Sequence, residues 1–177
     1  CACGFEGDGQ TCTMVARNQG YASEGGGAAT FGTDLLIAIP IQVEREGRLL
    51  SFGALIDSVG FALGMPDFEL ALYSDDEGAP GERLARSETV PLMAGTLSLP
   101  VRRAEHCLQL AAGSYWLVGR AAAAPIATVF SIDADPGAAE IALVTRPRTN
   151  GFPSTFSMTG ATETGRTPPL GFFIVLD

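Results

Sequence analysis

The stretch Phe68-Glu69-Leu70-Ala71-Leu72-Tyr73 alternates large apolar residues with others at a period of two. Extended backbone turns successive side chains to opposite faces, so Phe68, Leu70 and Leu72 share one face and Glu69, Ala71 and Tyr73 the other. Directly after it comes Ser74-Asp75-Asp76-Glu77-Gly78-Ala79-Pro80-Gly81, which is dense in turn-forming residues. A strand with one face inward and one outward, ended by a turn, is the unit of an antiparallel sandwich.

The same pattern repeats along the chain. Short apolar runs at 35–43, 48–56, 67–73, 96–101, 107–110, 114–119, 128–132, 140–145, 154–158 and 170–176 are separated by turn signals such as Asp133-Ala134-Asp135-Pro136-Gly137 and Thr149-Asn150-Gly151. No long helical stripe and no solenoid repeat interrupts them. The expected fold is all-β, and 177 residues fit one domain. Residues 33–177 read as the sandwich, 1–19 as an N-terminal arm, and 20–32, with Gly25-Gly26-Gly27 in the middle, as a linker or loop. The run Leu170-Gly171-Phe172-Phe173-Ile174-Val175-Leu176 is apolar on both faces, which fits a central strand or one covered by a partner.

Composition excludes several classes of function. The hydrophobic fraction of 46% sets general disorder aside. All eleven basic residues are Arg against twenty Asp and Glu, for a net charge of −9. Such a surface repels phosphate, so neither nucleic acid nor anionic membrane is an expected partner. No apolar run approaches the roughly 20 residues that cross a bilayer, so no transmembrane segment is expected. Nor does the beginning of the chain read as a signal peptide; an export signal is expected to have been removed before Cys1 or to lie upstream in a longer precursor.

Three of the four cysteines open the chain, in Cys1-Ala2-Cys3-Gly4-Phe5-Glu6-Gly7-Asp8-Gly9-Gln10-Thr11-Cys12. This segment resembles the last third of an EGF-like domain, with its three cysteines, aromatic residue and Gly-Asp-Gly in order. The resemblance implies that Cys3 pairs with Cys12 across a small hairpin, making the N-terminal arm a short disulfide-stapled EGF-like remnant. The earlier cysteines of that family are missing, which deprives Cys1 of its usual partner and makes Cys107 a candidate for it. Lipid modification of Cys1, a bridge to another chain, and excision from a larger EGF-containing precursor are the rival readings. A metal site is the weakest, because Cys-x-Cys lacks ordinary zinc spacing and His106 adjoins Cys107. The disulfide readings all require an oxidising compartment.

Leu70-Ala71-Leu72-Tyr73-Ser74-Asp75-Asp76-Glu77-Gly78-Ala79-Pro80-Gly81-Glu82-Arg83-Leu84-Ala85, followed by Leu110-Ala111-Ala112-Gly113-Ser114-Tyr115-Trp116-Leu117, carries a second resemblance. It is similar to a recurrent β-sandwich module of bacterial exported proteins, over roughly 35–177. The resemblance implies a jelly-roll-like antiparallel sandwich attached to enzymes, adhesins or anchoring signals, and it informs architecture more than function.

Catalytic signals are thin. His106 is the single histidine, and on a strand its neighbours Glu105 and Cys107 point to the opposite face. No Gly-x-Ser-x-Gly elbow occurs, and twenty acids guarantee some close pairs without implying a glycosidase. The chain is therefore expected not to be an enzyme and to need no cofactor. Calcium is the one candidate ion. Asp133-x-Asp135-x-Gly137-x-x-Glu140 loosely resembles the start of a calcium loop, with Asp133, Asp135 and Glu140 as ligands, and Asp75-Asp76-Glu77 is a second acidic turn. For sugar stacking the candidate platforms are Trp116, Tyr115, Tyr73 and Tyr21, against core packing as the ordinary use of each ring.

These readings point to an extracellular or surface-displayed bacterial module, lipid-anchored in one variant, with a structural or adhesive role. Its expected partners are copies of itself or other surface proteins, with assembly into a surface or filamentous structure. A carbohydrate-binding module of a secreted multidomain protein is the alternative.

Overall fold

A computed structural model describes residues 6–7, 12–13, 16–22, 27–32, 35–60, 66–102, 108–122, 129–134, 140–145, 151–156, 162–167 and 170–177, with backbone alone at 6–7, 12–13, 27–29, 31–32, 129–134, 140–145 and 162–167. These residues form strands and no helix. In chain order they are β1 (Glu6–Gly7), β2 (Cys12–Thr13), β3 (Arg17–Gly20), β4 (Gly27–Gly32), β5 (Leu36–Val43), β6 (Gly47–Val59), β7 (Asp67–Asp76) and β8 (Ala79–Arg86). There follow β9 (Val90–Pro91), β10 (Gly95–Pro100), β11 (Gln109–Leu110), β12 (Gly113–Ala121), β13 (Val129–Ala134), β14 (Glu140–Thr145), β15 (Thr162–Thr167) and β16 (Phe172–Leu176).

Two antiparallel sheets stack as a β-sandwich. The first is built around β6, in the order β3-β16-β6-β13-β4, with β10 and β11 also paired to β6. Phe52 of β6 faces Leu99 of β10 on one side and Ile174 of β16 on the other, so β6 is the spine of its sheet. The second sheet runs β15-β14-β5-β12-β7-β8, with β9 on β7. The pair β1 and β2 forms a separate small hairpin in which Gly7 opposes Cys12.

The core between the sheets follows the period of two. From one side come Phe52, Ala54, Ile56, Phe172, Ile174 and Leu176; from the other, Ile37, Ile39, Ile41, Phe68, Leu70, Leu72 and Leu117. The doubly apolar C-terminal run is an interior strand: β16 is paired to β3 on one edge and β6 on the other. Phe173, on its outward face, lies over Gly53, where any Cβ would strike the ring.

The one-face-in expectation fails on β7. On its outward face Ala71 and Tyr73 are buried as fully as Phe68, Leu70 and Leu72. The reason is a second apolar layer. Tyr73, Trp116 and Pro40 stand abreast in register across β7, β12 and β5, with Ala71, Val118 and Ala38 in the next row. Phe152 and Phe156, carried by residues 151–156 between β14 and β15, close over them. Tyr73 Oη donates to the Pro153 carbonyl at 2.7 Å, and Arg83 Nη1 donates to the Phe152 carbonyl at 2.5 Å. Residues 154–156 do not make the strand expected there. They run beside β8 through the Arg83 N to Ser154 O and Phe156 N to Gly81 O bonds.

Residues 27–32, inside the expected linker, form β4 along β13, and Arg17–Gly20, where the expected arm meets that linker, forms β3 along β16. The turn after Asp76 is a two-residue hairpin. Glu77 (φ 53°) and Gly78 (φ 85°) both adopt left-handed backbone, the geometry that follows the twist of its flanking strands.

Candidate functional site

The four aromatic candidates part company in the fold. Tyr73 has no exposed surface and Trp116 keeps 3%, both under the 151–156 segment, so neither offers a ring face to a ligand. Burial raises the Tyr73 phenol well above its ordinary pKa by desolvation, partly offset by the nearby Arg83 guanidinium. Trp116 Nε1 donates to Asp75 Oδ1 at 2.7 Å, and the other oxygen of Asp75 accepts the Gly78 N–H at 3.2 Å. That acidic turn is thus engaged in holding the hairpin and the indole. Tyr115 points to the opposite face of β12, half-buried against the main core, and donates to the Ala111 carbonyl at 3.1 Å.

Tyr21 also packs, partly buried, against the main core, but it is the aromatic candidate among the residues that line an open site. β3 ends at Gly20, whose φ of 101° is left-handed and whose missing Cβ would stand 2.7 Å from the Phe172 carbonyl. Only glycine meets both conditions, and the backbone there carries Tyr21 over the end of β16, where its N–H donates to the same carbonyl at 2.9 Å. The result is a groove of about 390 Å³ at the corner between the sheets. Its polar lining is Asn18 and Gln19 from β3, Gln42 from β5, Glu44 just beyond it, and Ser114 from β12; Pro40, Ile41 and Tyr21 supply the apolar part.

Hydrogen bonds preset this lining. Gln19 Oε1 accepts the Glu44 N–H at 3.0 Å, and its Nε2 donates to the Asn18 carbonyl at 3.1 Å, which ties β3 to the end of β5. Ser114 Oγ donates to Gln42 Oε1 at 3.1 Å. Behind the Gln19 and Glu44 wall lies a smaller hollow of about 130 Å³, lined with mixed charge from Arg17, Arg45, Glu46 and Asp177. Asp177 there is clamped to Arg48, by backbone N at 2.7 Å and by Nε at 2.5 Å.

Chemically the groove offers neutral amides, two hydroxyls from Ser114 and Tyr21, one carboxylate and one ring, an assembly suited to binding. Its size falls within the roughly 300–1,000 Å³ of small-ligand sites. Apart from Tyr21, none of its residues stands out in the sequence. Arg17-Asn18-Gln19-Gly20-Tyr21 is a polar segment ending in an aromatic ring, and nothing local joins it to Gln42 or Ser114.

The other candidates are placed differently. Asp133 lies in β13 and Glu140 in β14, strands of opposite sheets; their side chains and the whole of Asp135 lie outside the described residues. Cys1, Cys3, Cys107 and His106 also lie outside them, as does the side chain of Cys12. Among the described residues no three of His, Cys, Asp and Glu gather as a metal site. No helix among them is long and apolar enough to cross a membrane. No protein-family model and no curated protein matches the sequence.

Proposed function

We propose that the chain is a displayed adhesive or structural module of an exported bacterial protein, a jelly-roll-like sandwich that binds through its surface and carries out no reaction. The observation that supports this most directly is the corner groove, its lining held by hydrogen bonds, mounted on the sandwich. Among the described residues the scaffold buries nearly all of its large apolar side chains. Among the described residues Met93, at 47% exposure, is the large hydrophobic side chain left open. The adhesive contact in this reading is polar, and it is made at the groove. The disulfide-stapled arm and the oxidising compartment belong to the same proposal.

Adhesion of coated beads tests it. Beads carrying the oxidised chain are expected to be retained on bacterial cell surfaces more strongly than beads carrying an inert sandwich domain of equal charge. Equal retention counts against the adhesive role. Non-reducing mass analysis of exported material is expected to show bridged or acylated cysteines, and four free thiols there would end the export reading.

A further inference from the structure

We infer that the corner groove binds a neutral saccharide, with the side-chain amides of Asn18 and Gln42 as its polar contacts and with Pro40 and Tyr21 in its apolar lining. The inference rests on the binding-module reading and adds the class of ligand.

Three features carry it. The first is the chemistry of the amides. A primary amide presents a donor and an acceptor side by side, and sugar hydroxyls both donate and accept. The Asn18 side chain makes no hydrogen bond within the described residues. Gln42 has its oxygen engaged by Ser114 and keeps its NH2 group for a ligand.

The second feature is preorganisation. Gln19 is bonded at both ends of its amide and holds β3 against the end of β5 before any ligand arrives. A wall already ordered loses little side-chain freedom on binding. Gln19 is in this respect a positioning residue and not a contact.

Charge is the third. Among the lining residues Glu44 carries the only formal charge, and the chain as a whole stands at −9. Carboxylated or sulfated glycans meet repulsion and find no guanidinium among the described residues that line the groove, Arg17 and Arg45 lying in the adjoining hollow. A peptide strand is the rival occupant. Pro40 in the wall has no N–H to offer a ladder, whereas a sugar makes no such demand.

The full chain is titrated calorimetrically with cellohexaose, xylohexaose and mannohexaose, and in parallel with hexagalacturonate and a neutral Ser/Thr/Val hexapeptide. Saturable binding of at least one neutral hexaose is expected, and Asn18→Ala and Gln42→Ala are each expected to weaken it about tenfold. Both residues are solvent-exposed, so the variants are expected to keep the parent melting temperature. Silence from all three neutral hexaoses, binding of hexagalacturonate or the peptide alone, or binding that survives both substitutions would overturn the assignment. Beads that adhere while every hexaose stays silent would leave the adhesive role standing and remove only the saccharide.

Discussion

The rim of the Phe172 ring lies 2.5 Å from where a Cβ on Gly119 would stand, so a ring of one sheet fills the space that a glycine leaves in the other. Phe172 also packs against Phe68 with ring centres 6.1 Å apart. Two strands far apart in sequence, β12 and β16, are thereby keyed to one another.

Gly119→Ala is expected to destabilise the fold by about 1–3 kcal/mol, the usual cost of overpacking a filled core. Chemical denaturation measures it. Combining Gly119→Ala with Phe172→Leu is expected to cost less than the sum of the two single changes, because the smaller side chain yields the contested space. Simple additivity would mean that the ring and the glycine are not coupled.

Phe156→Ala tests the second apolar layer. Phe156 meets Tyr73 edge-on with centres 5.7 Å apart and is nearly buried. Its truncation is expected to cost about 3 kcal/mol and to shift the fluorescence of Trp116, the single tryptophan, to the red as water reaches the indole. An unchanged emission spectrum would show that residues 151–156 do not shield Trp116.

Asp75→Ala removes the acceptor of the Trp116 indole N–H and the tie to Gly78 in the β7–β8 hairpin. The expected loss is about 1–2 kcal/mol, toward the low end for an unsatisfied polar group because water reaches Asp75. Asp75→Asn keeps an acceptor oxygen and is expected to lose less. Thermal melts followed by tryptophan fluorescence rank the pair.

Tyr73 makes stability depend on alkaline pH. Its folded pKa is raised, since burial disfavours the phenolate, while the unfolded chain titrates near the ordinary value of about 10. The contribution is therefore complete below pH ~10 and is lost as pH climbs beyond it. The denaturation midpoint is expected to fall above that pH, and Tyr73→Phe is expected to flatten this fall. At neutral pH the same variant gives up the bond to Pro153, about 1 kcal/mol. Parallel curves for wild type and Tyr73→Phe across the alkaline range would contradict the assignment.

Most of the strands legible in sequence are interior ones, although β10 and β11, expected at 96–101 and 107–110, pair with β6 alone. Runs 35–43, 48–56, 67–73 and 114–119 match β5, β6, β7 and β12, all flanked on both sides. The four strands that end the two sheet orders, β3, β4, β8 and β15, escaped the pattern. Each is paired along one edge within its sheet and so needs little apolar alternation. Pro80 and Gly81 make β8 resemble a continued turn, yet Pro is tolerated on an edge, where a missing N–H breaks no ladder. β15, Thr-Glu-Thr-Gly-Arg-Thr, has no large apolar residue at all.

Local chemistry alone determined the all-β class, the inward faces of the central strands and the acidic character of the surface, because a period of two and a net charge are properties of neighbouring residues. Tertiary structure decided that Tyr73 and Trp116 are core and that Tyr21 lines a groove. Both outcomes depend on segments distant in the chain. Phe152 and Phe156 cover the outer face of β7 and β12, while Asn18, Gln42 and Ser114 meet only after β3, β5 and β12 have been paired into their sheets.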